Sequence, residues 1–245
     1  MQILGIDIGG SGIKGALVNI ETGELITERH RIQTPQPATP QNIKDTVKEL
    51  IDFFDYEGMV GVGFPAVVQN GIVLSAVNID KSWIETPINK FLSEGTGCNI
   101  VALNDADAAG IAEVSFGAAK DKNGLILLLT IGTGIGSALF INQILLANTE
   151  LGHLEFSDST IEKYASDAIR KKEELSWKKW GKRFNEALAY YERLFYPDLF
   201  IIGGGISKKI ERFEEFISIK TPFAPAELLN NAGLIGAAIF AYQNK

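Results

Sequence analysis

Short apolar runs alternate along the chain with longer stretches of helical spacing, which is the pattern of an α/β protein. The first run, 2–8, is followed by the turn 9–12 and a second run, 13–20, so a β-hairpin is predicted here. Further strands are predicted at 59–64, 100–103, 125–130, 136–141 and 199–202. No run approaches the roughly 20 apolar residues of a membrane helix, so we expect no membrane partner.

Helical spacing predicts four main helices between these strands. Thr39 and Pro40 suit the N-cap and first-turn positions of the first helix. A second helix is predicted from about Asp107. A third covers 177–194, where large apolar residues recur at helical spacing, and a fourth, rich in small residues, covers 232–242.

One internal repeat is visible in the sequence. Asp7–Lys14 and Thr130–Ser137 both have the form strand, glycine turn, strand, and they begin about half the chain length apart. The repeat predicts a duplicated fold with two phosphate-binding loops.

The first glycine segment, Gly10–Gly15, fits the spacing G-x-G-x-x-G. A dinucleotide fold needs a helix after the glycines, whereas this sequence predicts a strand, so the segment is a hairpin whose N–H groups can bind an anion. Asp7 precedes the turn, and Mg²⁺, held directly or through water, would let a carboxylate lie near phosphates. The structural alternative is a glycine hairpin with a capping aspartate. The candidate phosphate-binding residues are Asp7, Gly9, Gly10, Ser11, Gly12 and Lys14.

Two further glycine segments suit phosphate or nucleotide binding, because glycine lets a ligand approach the backbone closely. In the second loop the candidates are Thr130, Gly132, Thr133 and Gly134. The third segment follows the strand 199–202 and opens a helix near Ser207, and its candidates are Gly203, Gly204 and Gly205. A tight hairpin is the alternative for the second segment, and a tight strand-to-helix turn is the alternative for the third.

Two short segments contain polar residues that could take part in chemistry. Asn104 and Asp105 come directly after the strand 100–103, at a strand end where α/β proteins bind ligands. A carboxylate there suits proton acceptance from an attacking hydroxyl, and helix capping by Asp105 or Asp107 is the alternative. Glu150 and His153 place a carboxylate and an imidazole three residues apart, where a structural histidine is the alternative.

Composition narrows the function classes. Of 245 residues 46% are hydrophobic, and the net charge of −7 argues against general attraction to nucleic acid or membranes. Cys98 is the one cysteine of the chain, which excludes an intrachain disulfide and a multi-cysteine zinc cluster. The N-terminal residues have no basic segment before a long apolar run, so we expect no signal peptide and a cytoplasmic protein.

Taken in order, these motifs resemble the ROK (repressor, open reading frame, kinase) family over nearly the whole chain. The resemblance implies a duplicated ribonuclease-H-like (actin-like ATPase) α/β fold, with two lobes around a cleft. The first lobe would cover 1–106, with the C-terminal helix 232–245 packing back onto it, and the second 107–231. It also implies a sugar kinase that requires Mg²⁺, and a homodimer.

Site residues follow from the same resemblance. Asp105 would be the general base for the 6-hydroxyl of glucose. The implied sugar ligands are Gly63, Pro65, Asn78, Asn104, Asp105, Glu150 and His153. Asp7 would serve Mg²⁺ and the phosphates.

One departure from the family pattern is large. Most members follow the Gly-His pair with a cysteine-rich zinc motif and a later sugar-binding glutamate, and 154–160 contains no cysteine. Zinc is therefore not expected, and one sugar contact has no assigned residue. Glu155 is a candidate substitute.

The basic stretch Arg170–Arg183 and the segment 197–209 resemble a zinc-less branch of the family, whose members use inorganic polyphosphate and sometimes ATP. The implied polyphosphate track is Lys171, Lys172, Lys178, Lys179, Lys182, Arg183, Lys208 and Lys209. The alternative is a solvated helix face with ion pairs to Glu173 and Glu174.

Three rival functions remain open at this point. The first is a strictly ATP-dependent ROK kinase for a hexose or amino sugar. The second is a sugar-responsive repressor, which would need a DNA-binding domain before the first phosphate strand. The third is a non-catalytic sugar sensor, against which Asp105 and two phosphate loops argue.

Overall fold

The computed structural model describes residues 1–244 and contains fourteen strands and seven α-helices over that range. The strands are β1 (Gln2–Gly9), β2 (Gly12–Asn19), β3 (His30–Ile32), β4 (Met59–Phe64), β5 (Val68–Gln69), β6 (Ile72–Val73), β7 (Asn99–Asn104), β8 (Leu125–Ile131), β9 (Ile135–Ile141), β10 (Ile144–Leu146), β11 (Glu155–Phe156), β12 (Ser159–Thr160), β13 (Leu199–Gly203) and β14 (Phe223–Pro225). The helices are α1 (Pro40–Phe53), α2 (Ile88–Thr96), α3 (Asp105–Phe116), α4 (Ile161–Ala165), α5 (Asp167–Lys172), α6 (Trp177–Phe195) and α7 (Ala232–Gln243).

The chain divides into two compact units. The first contains Met1–Phe116 and the C-terminal stretch from Asn231, and the second contains Gly117–Asn230. The sequence placed this boundary at 106/107, ahead of α3. The structure keeps α3 in the first unit because α3 packs closely on α7, where a Cβ at Gly236 would overlap the Ala108 carbonyl.

The sheet of the first unit has the order β3-β2-β1-β4-β7. β1 and β2 form the predicted antiparallel hairpin, and β4 and β7 add parallel strands. Small residues let α7 lie directly on this sheet, since a Cβ at Gly5 or Gly61 would overlap backbone atoms of α7. On α1, Thr39 accepts a hydrogen bond from the Asn42 N–H, and Pro40 follows it, so the predicted N-cap is confirmed.

The sheet of the second unit has the order β10-β9-β8-β13-β14. β8 and β9 are the predicted antiparallel pair, and β13 and β14 add parallel strands. Aromatic side chains of α6 pack under this sheet, where Trp180, Phe184 and Tyr191 are fully buried. The predicted apolar face of the long helix is therefore confirmed as core, although Leu194 at its end is half exposed.

The two sheets repeat one topology. In each, a three-stranded antiparallel meander is extended by two parallel strands next to its first strand. This repetition confirms the duplicated ribonuclease-H-like α/β fold. Within residues 1–244, no helix combines the length and the apolar character that crossing a membrane requires.

Candidate active site

The first glycine turn is the tip of the β1–β2 hairpin, where Gly9 pairs with Gly12. The predicted hairpin, as opposed to a dinucleotide-binding helix, is confirmed. Gly10 has no atom within 4 Å of a Cβ built on it, and it does not have a positive φ. Neither sterics nor backbone conformation of the protein therefore requires glycine at this position.

Asp7 lies on β1 beside this turn and forms a salt bridge with Lys14, 3.1 Å from Oδ2 to Nζ. Its carboxylate also adjoins the first turn of α7, since a Cβ at Gly233 would lie 3.1 Å from Oδ1. Lys14 and the helix N-terminus both stabilise the negative charge. The sequence placed these two residues in one segment but did not predict that they pair.

Asn104 ends β7 and caps α3. Its Oδ1 accepts hydrogen bonds from the N–H groups of Ala106 and Asp107, and its Nδ2 donates to the Ala66 carbonyl. The capping alternative proposed for Asp105 or Asp107 is thus met by Asn104, and α3 begins at Asp105, two residues before the predicted start. Asn104 is buried, and the Nδ2 amide has a second N–H that the bond to Ala66 does not use, so its predicted role as a sugar ligand stays a prediction.

Asp105 is the first residue of α3 and is partly exposed. Its Oδ1 accepts a hydrogen bond from the Ala106 N–H at 2.8 Å. A helix N-terminus stabilises a carboxylate in its charged form, which is the form that accepts a proton. The predicted sugar-side Gly63 adjoins it, since a Cβ at Gly63 would lie 3.8 Å from the Asp105 Cα.

A cavity of about 170 Å³ lies in the first unit next to the glycine hairpin. Its lining includes Gly9, Gly10, Pro65 and Asn78, so the structure brings two predicted sugar-side residues to the first glycine turn. The remaining lining residues are Ile8, Thr34, Gln36, Pro37, Ala38, Ile79 and Asp80. The sequence did not single out any of these seven.

The second glycine loop connects β8 to β9. The Gly132 N–H donates to the Gly134 carbonyl, and the Gly132 carbonyl accepts from the Ala168 N–H at the start of α5. No atom lies within 4 Å of a Cβ built on Gly132, so this position is open like Gly10. Gly134 differs, because a Cβ there would lie 2.5 Å from Glu162 Oε2.

The triple glycine ends β13 and leads into a 3₁₀ segment, Gly204–Arg212, broken at Lys209, in place of the predicted helix. Gly204 has a φ of +74° and packs on Ile131, which accounts for glycine there. Gly205 has neither constraint and no atom within 4 Å of its Cβ position. Each of the three glycine turns therefore keeps one position open, at Gly10, Gly132 and Gly205.

Two carboxylates flank His153 in the second unit. The Glu150 Oε2 lies 3.5 Å from Nδ1, and the Glu162 Oε1 lies 3.7 Å from Nε2. Glu162, in the first turn of α4, is a residue that the sequence did not predict, and the acid preference of helix N-termini was the one general signal for it. The structure puts Glu162 beside His153, whereas the candidate Glu155 is an exposed residue of β11.

Some residues of the predicted basic track form salt bridges, and others are exposed without one. Lys171 pairs with Asp167 and Arg183 with Glu173, each at 2.8 Å. Burial opposes ionisation of Asp167, but hydrogen bonds and charges from Lys171 and Arg170 hold the pKa of this carboxyl below its usual value. Lys171 is itself exposed, and the exposed track members that form no salt bridge within residues 1–244 are Lys172, Lys178, Lys179, Lys182 and Lys208.

Three cations surround Trp177 at the start of α6. The guanidinium of Arg170 lies 4.1 Å from its ring, that of Arg212 5.7 Å and the Lys209 ammonium 5.8 Å. Lys209 was predicted for the track, whereas Arg170 and Arg212 were not on it. The cluster is continuous with the second glycine loop through α5, whose Ala168 bonds to Gly132.

A model of the ROK family matches residues 3–167, well over half of the chain. The chain belongs to the ROK family. One ROK relative is the polyphosphate glucokinase of Mycobacterium tuberculosis (strain CDC 1551 / Oshkosh), 46% identical over 96% of this chain and 89% of that protein.

Two solved structures resemble the chain closely. The inorganic polyphosphate/ATP-glucomannokinase from Arthrobacter sp. strain KM has a TM-score of 0.95 and 41% identity, over 100% of this chain and 99% of that one. A ROK family glucokinase from Streptomyces griseus has a TM-score of 0.86 at 24% identity, covering 99% and 100% of the two chains. The second likeness supports the fold alone.

The family resemblance implied a requirement for Mg²⁺, so the candidate ligands for this ion matter. Within residues 1–244, no group of three or more histidine, cysteine, aspartate or glutamate side chains could hold a metal ion. Mg²⁺ keeps several waters and usually takes one or two carboxylates together with substrate phosphates. The partly exposed Asp7 carboxylate fits this mode of binding, with the phosphates of a donor supplying the remaining ligands.

Proposed function

We propose that the protein transfers the terminal phosphoryl group of inorganic polyphosphate to the 6-hydroxyl of glucose. The observation that carries the proposal is the set of open glycines, Gly10, Gly132 and Gly205, at three turns where the protein itself does not require glycine. Open backbone turns of this kind bind phosphate oxygens through N–H groups. The 46% identical polyphosphate glucokinase and the 41% identical polyphosphate/ATP-glucomannokinase support the choice of donor and acceptor.

Asp105 acts as the general base in this proposal. Its carboxylate accepts the proton of the glucose 6-hydroxyl while that oxygen forms a bond to the terminal phosphorus. The bond from that phosphorus to its bridging oxygen breaks, and the donor leaves one phosphate shorter with the electron pair of the broken bond. Support comes from its place at the strand end and at the N-terminus of α3, which favours the charged carboxylate.

The second unit contributes Glu150, His153 and Glu162 to sugar binding. The two carboxylates accept hydrogen bonds from sugar hydroxyls, and the imidazole between them is oriented by its acidic neighbours. Glu162 takes the place of the glutamate that the sequence left unassigned. Its packing against Gly134 fixes the carboxylate close to His153. In the first unit, the proposed sugar-side residues remain Gly63, Pro65, Asn78 and Asn104, together with Asp105.

Asp7 is the proposed ligand for Mg²⁺, directly or through water. When bound, the ion neutralises charge that develops on the donor phosphates during transfer. Lys14 shares the Asp7 carboxylate and also carries positive charge toward the donor. Zinc has no role in the proposal.

The donor chain is proposed to extend over the exposed lysines of the basic track, and the paired Lys171 and Arg183 contribute less than the sequence suggested. ATP is a second donor candidate, because the similar Arthrobacter protein is a polyphosphate/ATP-glucomannokinase. A homodimer stays a prediction from the family resemblance.

The reaction itself tests the proposal. Purified protein is incubated with glucose, long-chain polyphosphate and Mg²⁺, and the products are followed by ³¹P NMR. The expected product is glucose 6-phosphate, formed with Mg²⁺ and absent after its removal by a chelator. Release of orthophosphate without sugar phosphate, or no turnover at all, would contradict the proposed function.

A further inference from the structure

A row of three charged residues crosses the first sheet beside the glycine hairpin. Asp7 on β1 lies opposite Lys14 on β2, and Lys14 lies opposite Arg31 on β3. Opposed residues of antiparallel strands point to the same face of a sheet, so the three side chains share one face over two strand spacings, about 10 Å. Lys14 is already paired with Asp7. Within residues 1–244, Arg31 forms no salt bridge, so it is the unneutralised cation of the row.

The Arg31 side chain lies on the hairpin. Its Nη2 donates a hydrogen bond to the Ser11 carbonyl, and its guanidinium covers Gly12, where an added Cβ would overlap it. Gly12 is therefore buried, while Gly10 and Ser11 are exposed. One backbone hydrogen bond fixes the guanidinium next to the open part of the turn.

We propose that Arg31 is a donor-binding residue, which holds the phosphate chain of the donor beside the group at the glycine hairpin. A guanidinium has five N–H donors in a planar fork that matches two phosphate oxygens, and the bond to Ser11 uses one of them. The inference rests on the proposed function for the nature of the donor, a chain of linked phosphates. It adds a residue that neither the motifs nor the basic track include.

Arg31 and the basic track differ in the donors they should affect. The track serves long polyphosphate alone, because a short donor does not reach along it. Arg31 adjoins the hairpin, so it contacts the phosphates that polyphosphate and a nucleoside triphosphate have in common. Its loss should therefore weaken both donors, together with short inorganic chains.

The test compares Arg31→Gln with the parent protein. Binding of inorganic tripolyphosphate, measured by isothermal titration calorimetry in Mg²⁺ buffer, should weaken about ten-fold, the effect of losing a charge-assisted contact. The KM of each donor that the parent uses should rise by a similar factor, with the glucose KM and the melting temperature nearly unchanged. Arg31→Lys should lie between the two, because lysine keeps the charge but not the fork.

Two further variants separate donor binding from other causes. Arg193→Gln removes an equal charge from an exposed position of α6 and should leave tripolyphosphate binding unchanged. Gly12→Ala should displace the guanidinium and weaken binding, with little added effect when combined with Arg31→Gln.

Unchanged tripolyphosphate binding in Arg31→Gln would overturn the inference. An equal loss in Arg193→Gln would also overturn it, because net charge would then be the cause. If Arg31→Gln also lowered the glucose affinity and the melting temperature, the role of Arg31 would be structural and the inference would be wrong. Because calorimetry needs no turnover, a protein that binds tripolyphosphate through Arg31 but makes no glucose phosphate would refute the proposed function alone.

Discussion

At the scale of single residues, Asn104 and Asp105 at the end of β7 differ in burial and in hydrogen bonding. Asn104 caps α3 with its side chain, and the next residue, Asp105, presents a partly exposed carboxylate at the helix N-terminus. Under the proposed function, Asp105 is the residue whose replacement should change chemistry without changing the fold.

We expect Asp105→Asn to lose turnover and to retain folding and glucose binding. The amide is nearly isosteric but cannot accept the proton, and a positioned base contributes roughly 10²–10⁴-fold. Steady-state rates and a glucose-binding isotherm check the two parts separately. Retention of more than about a tenth of the parental turnover would remove Asp105 from the role of base.

Glu162→Gln should raise the glucose KM about ten-fold, since a charged hydrogen-bond acceptor for the sugar is lost. The KM of the donor should change little. Glu155→Gln is the matched control, because Glu155 is exposed on β11, and its glucose KM should equal that of the parent. An effect of the same size in both variants, or in Glu155→Gln alone, would reverse the assignment.

Alanine substitutions should distinguish the open glycines from a glycine that the backbone conformation requires. Gly132→Ala has room for its methyl group, so the melting temperature should hold while the donor KM rises several-fold. Gly97→Ala is the opposite case. Gly97 has a φ of +76° at the end of α2, so alanine should cost about 1 kcal/mol of stability with activity unchanged. If Gly132→Ala binds donors normally, this loop does not contact phosphate.

Several residue contacts could not be predicted from the sequence. Motif spacing located Asp7, Lys14 and His153, because glycine turns and strand ends have strong local signals. The pairing of Arg31 with the hairpin and of Glu162 with His153 depends on strand register and on how α4 packs. Such contacts join residues far apart in sequence, and polar residues at those positions have many other uses.

At the scale of elements, hydrophobic periodicity predicted both glycine hairpins and the apolar face of α6. Caps and ends were less well predicted. α3 starts at Asp105 because Asn104 caps it, and the segment after the triple glycine is 3₁₀ with a break at Lys209. Lys209 has a non-helical backbone conformation, and its ammonium lies 5.8 Å from the Trp177 ring, a contact between residues far apart in sequence that the local pattern does not reveal.

The first turns of α6 carry the exposed part of the basic track. Replacement of Lys178, Lys179 and Lys182 by Gln should raise the KM of long polyphosphate several-fold and flatten its salt dependence, because fewer counterions are released. The glucose KM and any ATP activity should change little. Arg183 is left in place, since its pair with Glu173 supports the fold.

The matched control replaces Lys90, Lys120 and Lys122 by Gln, three lysines outside the track with the same total charge change. Their replacement should leave the polyphosphate KM unchanged. If the track variant uses long polyphosphate as well as the parent at low and moderate salt, this face of α6 is a solvated surface and the donor binds elsewhere.

At the scale of the whole molecule, the sequence repeat corresponds to a repeated sheet. In both units the glycine hairpin joins the first two strands in chain order, which are the two strands of the antiparallel meander that lie inside the sheet. The sequence predicted this duplication from two short motifs, because each motif marks the same point of the topology. The boundary between units was predicted ten residues early, since the close packing of α3 on α7 leaves no local signal.

A comparison of two donors on the parent protein tests whether polyphosphate is the phosphoryl donor for glucose. Rates of glucose 6-phosphate formation are measured at saturating glucose and Mg²⁺, with long-chain polyphosphate and with ATP side by side, and expressed as kcat/KM. We expect efficient transfer from polyphosphate, at a kcat/KM equal to or above that of ATP. Transfer from ATP with none from polyphosphate would contradict this expectation.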